Sequence, residues 1–281
     1  MVEIRTRKDL YKAIYEDAKS FLLELDGVDK QLLEKHLNDY KENPENLSAV
    51  MNDILLSVKN KRNMSKSITE EKIEKIRDHM WNFNPEEVIN NYGYDLDEAA
   101  ERISETIEEI FSGEISIDMK NGHAYWSIFV KSIYTSALFL SNFSDINDFR
   151  KFIESFQKNA YTQISLPLLL SKEIAGLGFA LSCDFIKESI SPKYIKPDVH
   201  IKYIFKECKI SKTDNDLDVF KAGIEFSKEI GEIPYKVDKV FWLIGSGNFY
   251  LTEDIRTGRR KEKFVKQIKE KYGKDIERLC G

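Results

Sequence analysis

Residues 174 to 205 read IAGLGFALSCDFIKESISPKYIKPDVHIKYIF, with Gly176 and Gly178 inside a five-residue turn and Asp198 twenty residues past the second glycine. Two glycines one residue apart suggest a dinucleotide fold when they follow a strand, and something else when they follow a helix. The preceding LPLLLSKEI, residues 166 to 174, carries Pro167, which suits the first turn of a helix, and the pair Lys172-Glu173, which a buried parallel strand does not tolerate. It reads as a helix, and the third fingerprint glycine is missing, its place taken by Leu181. The result is a helix, an AGLGF turn and a second helix.

Glycines in such a turn permit positive φ and bring bare backbone N–H groups to the start of the second helix, where the helix dipole is positive. One phosphate oxygen can be held there without a side chain, which grips a nucleic-acid backbone without reading its sequence. The alternative is a plain connection whose glycines serve only the turn. Downstream the chain breaks at Ser191-Pro192, runs extended through Lys196-Pro197 and restarts as a helix at Asp198. Asp198 suits the N-cap of a helix that buries Ile201, Ile204, Phe205 and Cys208. A carboxylate at that position is also kept ionised by the dipole, as a stabiliser of a cationic transition state requires. The two roles are compatible. His200 reads as a structural partner of the helix start rather than a base or ligand.

The rest of the chain is read as helix nearly throughout, because 281 residues contain only 13 Gly and 6 Pro. Apolar residues recur at helical spacing over 8 to 25 and 46 to 59, and further helices are expected around 69 to 80, 85 to 91, 95 to 112, 124 to 141, 145 to 158 and 165 to 173. Asn84-Pro85 supplies a cap and a first-turn proline. The best strand candidate, GEISIDM at residues 113 to 119, is short and has no partner, so the class is all-α. The three cysteines, Cys183, Cys208 and Cys280, form no C-x-x-C pair, and no H-E-x-x-H occurs, so neither a disulfide framework, a metal site nor a cofactor is expected. A charged amino terminus and the absence of a long uninterrupted apolar run point to a cytoplasmic chain with no membrane partner.

The net charge of −5 argues mildly against a nucleic-acid partner but hides an asymmetry. Residues 82 to 118 hold eleven acidic side chains and one basic, whereas residues 256 to 274 hold nine basic and two acidic. Residues 58 to 77 and 164 to 212 are also basic on balance, and three basic segments could share one face. Solvated helix surfaces are the plainer explanation of each run.

The quoted stretch resembles the helix-hairpin-helix DNA glycosylases of the endonuclease III type, whose hairpin L-P-G-[VI]-G-x-K-T-A is followed at a fixed interval by V-D-T-H-V. IAGLGFALS takes the hairpin's place and PDVHI the second motif's, with Asp198 eighteen residues after Ala180, which fills the lysine slot. DKVFWLIGSGNFY, residues 238 to 250, is similar to the family's final apolar helix, and residues 45 to 68 to the first helix of its six-helix domain. The resemblance implies two helical subdomains, 46–190 ending in the hairpin and 1–45 plus 191–281, with a cleft between them. It implies a double-stranded DNA partner, a flipped damaged or modified base, and Asp198 stabilising an oxocarbenium-like sugar or orienting water. Gly176, Leu177, Gly178, Phe179 and Ala180 would hold a phosphate, Lys59, Lys61 and Arg62 would add backbone contacts, and Tyr125 and Trp126 are candidate base-pocket faces.

The departures narrow the chemistry. Ala180 offers no amine for a Schiff-base lyase step, and the four cysteines of an iron-sulfur cluster are missing. A monofunctional glycosylase is what the resemblance then implies. Residues 113 to 158 look longer than the family's minimal core and read as an insertion. The alternative is a non-catalytic helix-hairpin-helix DNA-binding protein in which Asp198 only caps its helix; a helical interaction scaffold ranks last.

Overall fold

A computed structural model describes residues 3–40, 44–252 and 255–281. Among them there are fourteen α-helices and no strand; the only β-type pairing is an isolated bridge between Asn248 and Arg256. The chain forms two compact units, one of Met1–Lys41 with Ser191–Gly281, the other of Glu42–Ile190. In the first segment lie α1 (Arg7–Leu23) and α2 (Lys30–Leu37). The middle segment holds α3 (Leu47–Val58), α4 (Glu70–His79), α5 (Pro85–Tyr92), α6 (Leu96–Ile110), α7 (Tyr125–Leu140), α8 (Ile146–Ser155), α9 (Ala160–Glu173) and α10 (Phe179–Phe185). The last segment holds α11 (Val199–Glu207), α12 (Asp216–Ile230), α13 (Pro234–Ser246) and α14 (Lys261–Cys280). No helix among the described residues is long and apolar enough to cross a membrane.

The middle unit is built around α7. Phe129, Val130, Ile133, Tyr134, Ala137 and Leu140 are buried on several sides of this helix, the pattern of a helix enclosed by others. It packs against α3, α5 and α6. The segment read from sequence as an insertion therefore contains the centre of this unit. GEISIDM is irregular rather than extended: Ile115 and Ile117 are buried, but the Ile117 N–H donates to the Glu108 carboxylate at 2.5 Å instead of to a neighbouring strand. Asn84 caps α5 by accepting from Glu86 and Glu87 N–H, with Pro85 in the first turn, as the sequence predicts. Pro167 stands elsewhere than expected. α9 starts at Ala160, capped by Asn159, so the proline is interior and removes one backbone hydrogen bond.

The terminal unit is held by a run of rings shared by five helices. Tyr11 of α1 meets Phe226 of α12 at 4.7 Å, Phe205 of α11 meets Phe226 at 6.0 Å and Phe241 of α13 at 5.4 Å, and Phe241 meets Phe264 of α14 at 6.1 Å. Edge and tilted contacts at such distances add to the area buried. Sequence periodicity named neither α2 nor α12; both are capped, by Asp29 and Asn215, and α12 ends on left-handed Gly231.

α13 ends on Gly247, also left-handed at φ +66°, and here space matters as well as φ. A Cβ on Gly247 would stand 2.1 Å from the Gly258 carbonyl oxygen, because the chain crosses itself there. Gly247→Ala is expected to destabilise this unit by about 2 kcal/mol or more, measured by denaturant unfolding. A thermal or chemical midpoint equal to that of the parent chain would contradict the crossing.

Candidate functional site

The hairpin belongs to the middle unit. α9 ends at Glu173; Ile174 is buried, and the Ala175 N–H donates to Thr135 Oγ1 of α7 at 3.0 Å. Gly176 has φ +81°, and a Cβ there would lie 2.9 Å from Ile128 and 3.0 Å from Val58. Gly178 differs. Its φ of −75° is open to any residue, nothing lies within 4 Å of an added Cβ, and it is the exposed N-cap of α10 with no side-chain cap. The first glycine thus serves the turn and its packing, whereas the second leaves open space in front of a helix start.

Of the expected phosphate donors, the Leu177 N–H is already used within the turn, donating to the Ile174 carbonyl at 3.3 Å, and the Leu177 side chain is buried. The amides of Gly178, Ala180 and Leu181 have no acceptor among the described residues. Beyond Phe185 the helix widens into a π turn at Ile186–Ile190, where buried Lys187 pairs with Glu188 at 2.8 Å and Asp184 at 3.6 Å. π turns recur at functional sites, and sequence periodicity gives no sign of this one.

The basic turn after α3 follows Val58, the residue against Gly176, so it borders the hairpin. Lys59 is occupied in an ion pair with Glu70. Lys61 and exposed Arg62, which sits at φ +51°, make no ion pair among the described residues. Tyr125 and Trp126 open α7 and diverge. Trp126 packs with Phe111 at 6.3 Å and Phe129 at 6.1 Å, with Lys72 over its ring at 5.8 Å. Tyr125 is half-buried and lies one turn before Ile128, on the side of α7 that meets the hairpin.

Asp198 lies in the terminal unit, as the N-cap of α11. Its Oδ1 accepts from His200 N–H at 2.9 Å and Ile201 N–H at 3.0 Å. Ile201, Ile204, Phe205 and Cys208 are buried, as the spacing predicts. The extended approach is fixed from two sides. Lys196 N–H donates to the buried Asp238 carboxylate at 2.7 Å, and a Cβ on Gly223 of α12 would stand 2.7 Å from Ile195. Asp238 was not singled out from sequence; the signal available was a carboxylate at the start of the apolar run of α13, Val237 to Ile244.

His200 packs its ring against Gly245 of α13, where a Cβ would lie 2.4 Å from that of the histidine. Its Nδ1 is buried with no hydrogen-bond partner among the described residues. Burial pushes the imidazole below its ordinary range; the Asp198 carboxylate opposes this, and Lys261 and Arg259 reinforce it. The group is therefore neutral near pH 7 and serves as packing. Among the described residues no cluster of three metal-ligating side chains occurs.

No protein-family model and no curated protein matches the chain. Among solved structures, the 8-oxoguanine DNA glycosylase of Thermotoga maritima is similar, with a TM-score of 0.50 over 85% of this chain and 99% of that one, at 14% sequence identity. The likeness is one of fold.

Two outcomes are expected from this geometry. Gly176→Ala loses about 1–3 kcal/mol of stability through its positive φ and the Val58 and Ile128 contacts, while Gly178→Ala stays within about 1 kcal/mol of the parent, as denaturant titration will show. Burial also lowers the His36 imidazole, so protonation of both histidines favours the unfolded chain. Stability is full above the ordinary imidazole range and falls as pH drops through and below it. The thermal midpoint should decline from pH 7.5 to 5.5, and less so in His200→Gln.

Proposed function

We propose that the chain is a monofunctional DNA N-glycosylase that removes a damaged or modified base from duplex DNA. The observation that carries the proposal is Asp198: an ionisable carboxylate on a rigidly supported helix start, at the interval from a phosphate-accessible hairpin that the glycosylase resemblance requires. The fold shared with a glycosylase supports it.

In this reading the hairpin holds one backbone phosphate through the amides of Gly178, Ala180 and Leu181, with Lys61 and Arg62 adding charge. The damaged nucleotide leaves the stack, since its glycosidic bond cannot be reached inside a duplex. Loss of the base breaks the C1′–N bond with both electrons leaving on the base, and positive charge develops on the sugar. The Asp198 carboxylate, with one oxygen engaged by two amides, stabilises that charge electrostatically. A water then adds to C1′, and its proton is released to the base or to solvent, leaving an abasic site. Ala180 has no amine to form a Schiff base, so strand cleavage by lyase chemistry is not assigned.

Asparagine caps a helix as well as aspartate does, which makes Asp198→Asn a clean test of charge. The parent should release a base from at least one member of a panel of altered duplexes, led by one carrying 8-oxoguanine, with abasic sites revealed by hot alkali. Asp198→Asn should retain the parent's thermal midpoint and lose roughly a hundredfold or more in rate. Equal rates in the two proteins would remove Asp198 from the chemistry, and no excision on any duplex would leave only the non-catalytic DNA-binding alternative.

A further inference from the structure

The terminal unit carries a second feature that glycosylase chemistry does not use. Where the chain crosses itself, Thr257 N–H donates to the Gly247 carbonyl at 3.1 Å and Arg260 N–H donates to the Ile244 carbonyl at 3.1 Å. This platform delivers Arg256, Arg259, Arg260, Lys261 and Lys263 at and just before the start of α14. On and just after the neighbouring α11, and further along α14, cations are paired: Lys202 with Asp216, Lys206 with Asp214, Lys209 with Glu277 and Lys269 with Glu207. The five at the platform make no ion pair among the described residues. Lys261 and Lys263 lie instead over the rings of Tyr203 at 4.7 Å and Phe21 at 5.8 Å.

This arrangement runs against helix electrostatics. The start of a helix carries partial positive charge and favours acidic residues and a side-chain cap. α14 has no side-chain cap, and only Glu262 in its first turn has the favoured sign. The cations repel one another and the dipole, and such local conflict marks functional positions. An anion removes the conflict. The platform also adjoins the start of α11: Ile244, which receives the Arg260 amide, precedes Gly245, which abuts His200, and Tyr203 is one turn beyond His200.

We infer that Arg256, Arg259, Arg260, Lys261 and Lys263 grip the phosphates of a DNA strand beside Asp198, in addition to the hairpin contact. The inference rests on the proposed DNA substrate, and phosphate is the chemistry that five unpaired cations at a helix start accept. Several adjacent phosphates, as a DNA strand provides, match this number of cations better than a single small anion.

The test is anisotropy titration of the full chain with a labelled duplex containing a stable abasic-site analogue, across a series of salt concentrations. The triple variant Arg259→Ala, Arg260→Ala, Lys263→Ala should bind about tenfold or more weakly, with a salt slope reduced by about 2–3. Its thermal midpoint should equal or exceed the parent's, because repulsion at the helix start is gone. A control, Lys206→Ala with Lys269→Ala, removes two cations already paired and should bind as the parent does. Should the triple variant fail to fold, Arg259→Gln with Lys263→Gln reads the same contacts. Unchanged affinity and slope in a variant of the platform, or an equal loss in the control, overturns the platform while leaving the glycosylase reading standing. A parent chain that binds no duplex at any salt overturns both.

Discussion

Two amides converging on one oxygen of Asp198 determine where α11 begins, and most of what the terminal unit presents follows from that point. A cap fixes a helix start only if the chain entering it is fixed too. Here the entry is pinned by the buried Asp238 carboxylate at Lys196 and by the close approach of Gly223 to Ile195. Further along the helix, Phe205 is locked into rings contributed by α12 and α13. The carboxylate is therefore held from before and behind, which is what preorganised electrostatics demands. Both cap bonds fall on the same oxygen, Oδ1, so the helix start is satisfied by one half of the carboxylate.

Charge elsewhere is distributed by use. In the acidic stretch from 82 to 118, Asp95 caps α6, Asp97 and Glu98 occupy its first turn, and Glu108 receives the Ile117 amide. These carboxylates are placed where helix dipoles and orphan donors favour them. The basic stretch that begins at Arg256 divides in two: Lys269 and Lys271 are paired with Glu207 and Asp17, whereas the cations from Arg256 to Lys263 make no ion pair among the described residues.

Features governed by neighbours within four residues were legible in the sequence. The Asp198 and Asn84 caps, the buried face of α11 and the helical character of residues 166 to 173 all obey such local rules. Features that depend on contacts distant in sequence were not. Pro167 favours a helix start locally, but the Asn159 cap and the run that follows it carry the helix through. Lys59 reads as a free cation until Glu70 is placed beside it, and Trp126 reads as a pocket face until Phe111 and Phe129 surround it. The two hairpin glycines look equivalent on paper; only the positions of Val58 and Ile128 separate a glycine the turn requires from one that leaves space in front of a helix.

The terminal unit draws its helices from both ends of the described chain, with α1 packed against α13 and α14. During synthesis the middle unit has all its helices available before any of α11 to α14 has been made, whereas α1 and α2 wait for partners separated from them by the whole of that unit. Closing so long a loop is slow, and until it closes the apolar faces of α1 remain uncovered. The order of assembly thus places the support of Asp198 last: a nascent or clipped chain can hold a finished hairpin while lacking the scaffold that positions the carboxylate.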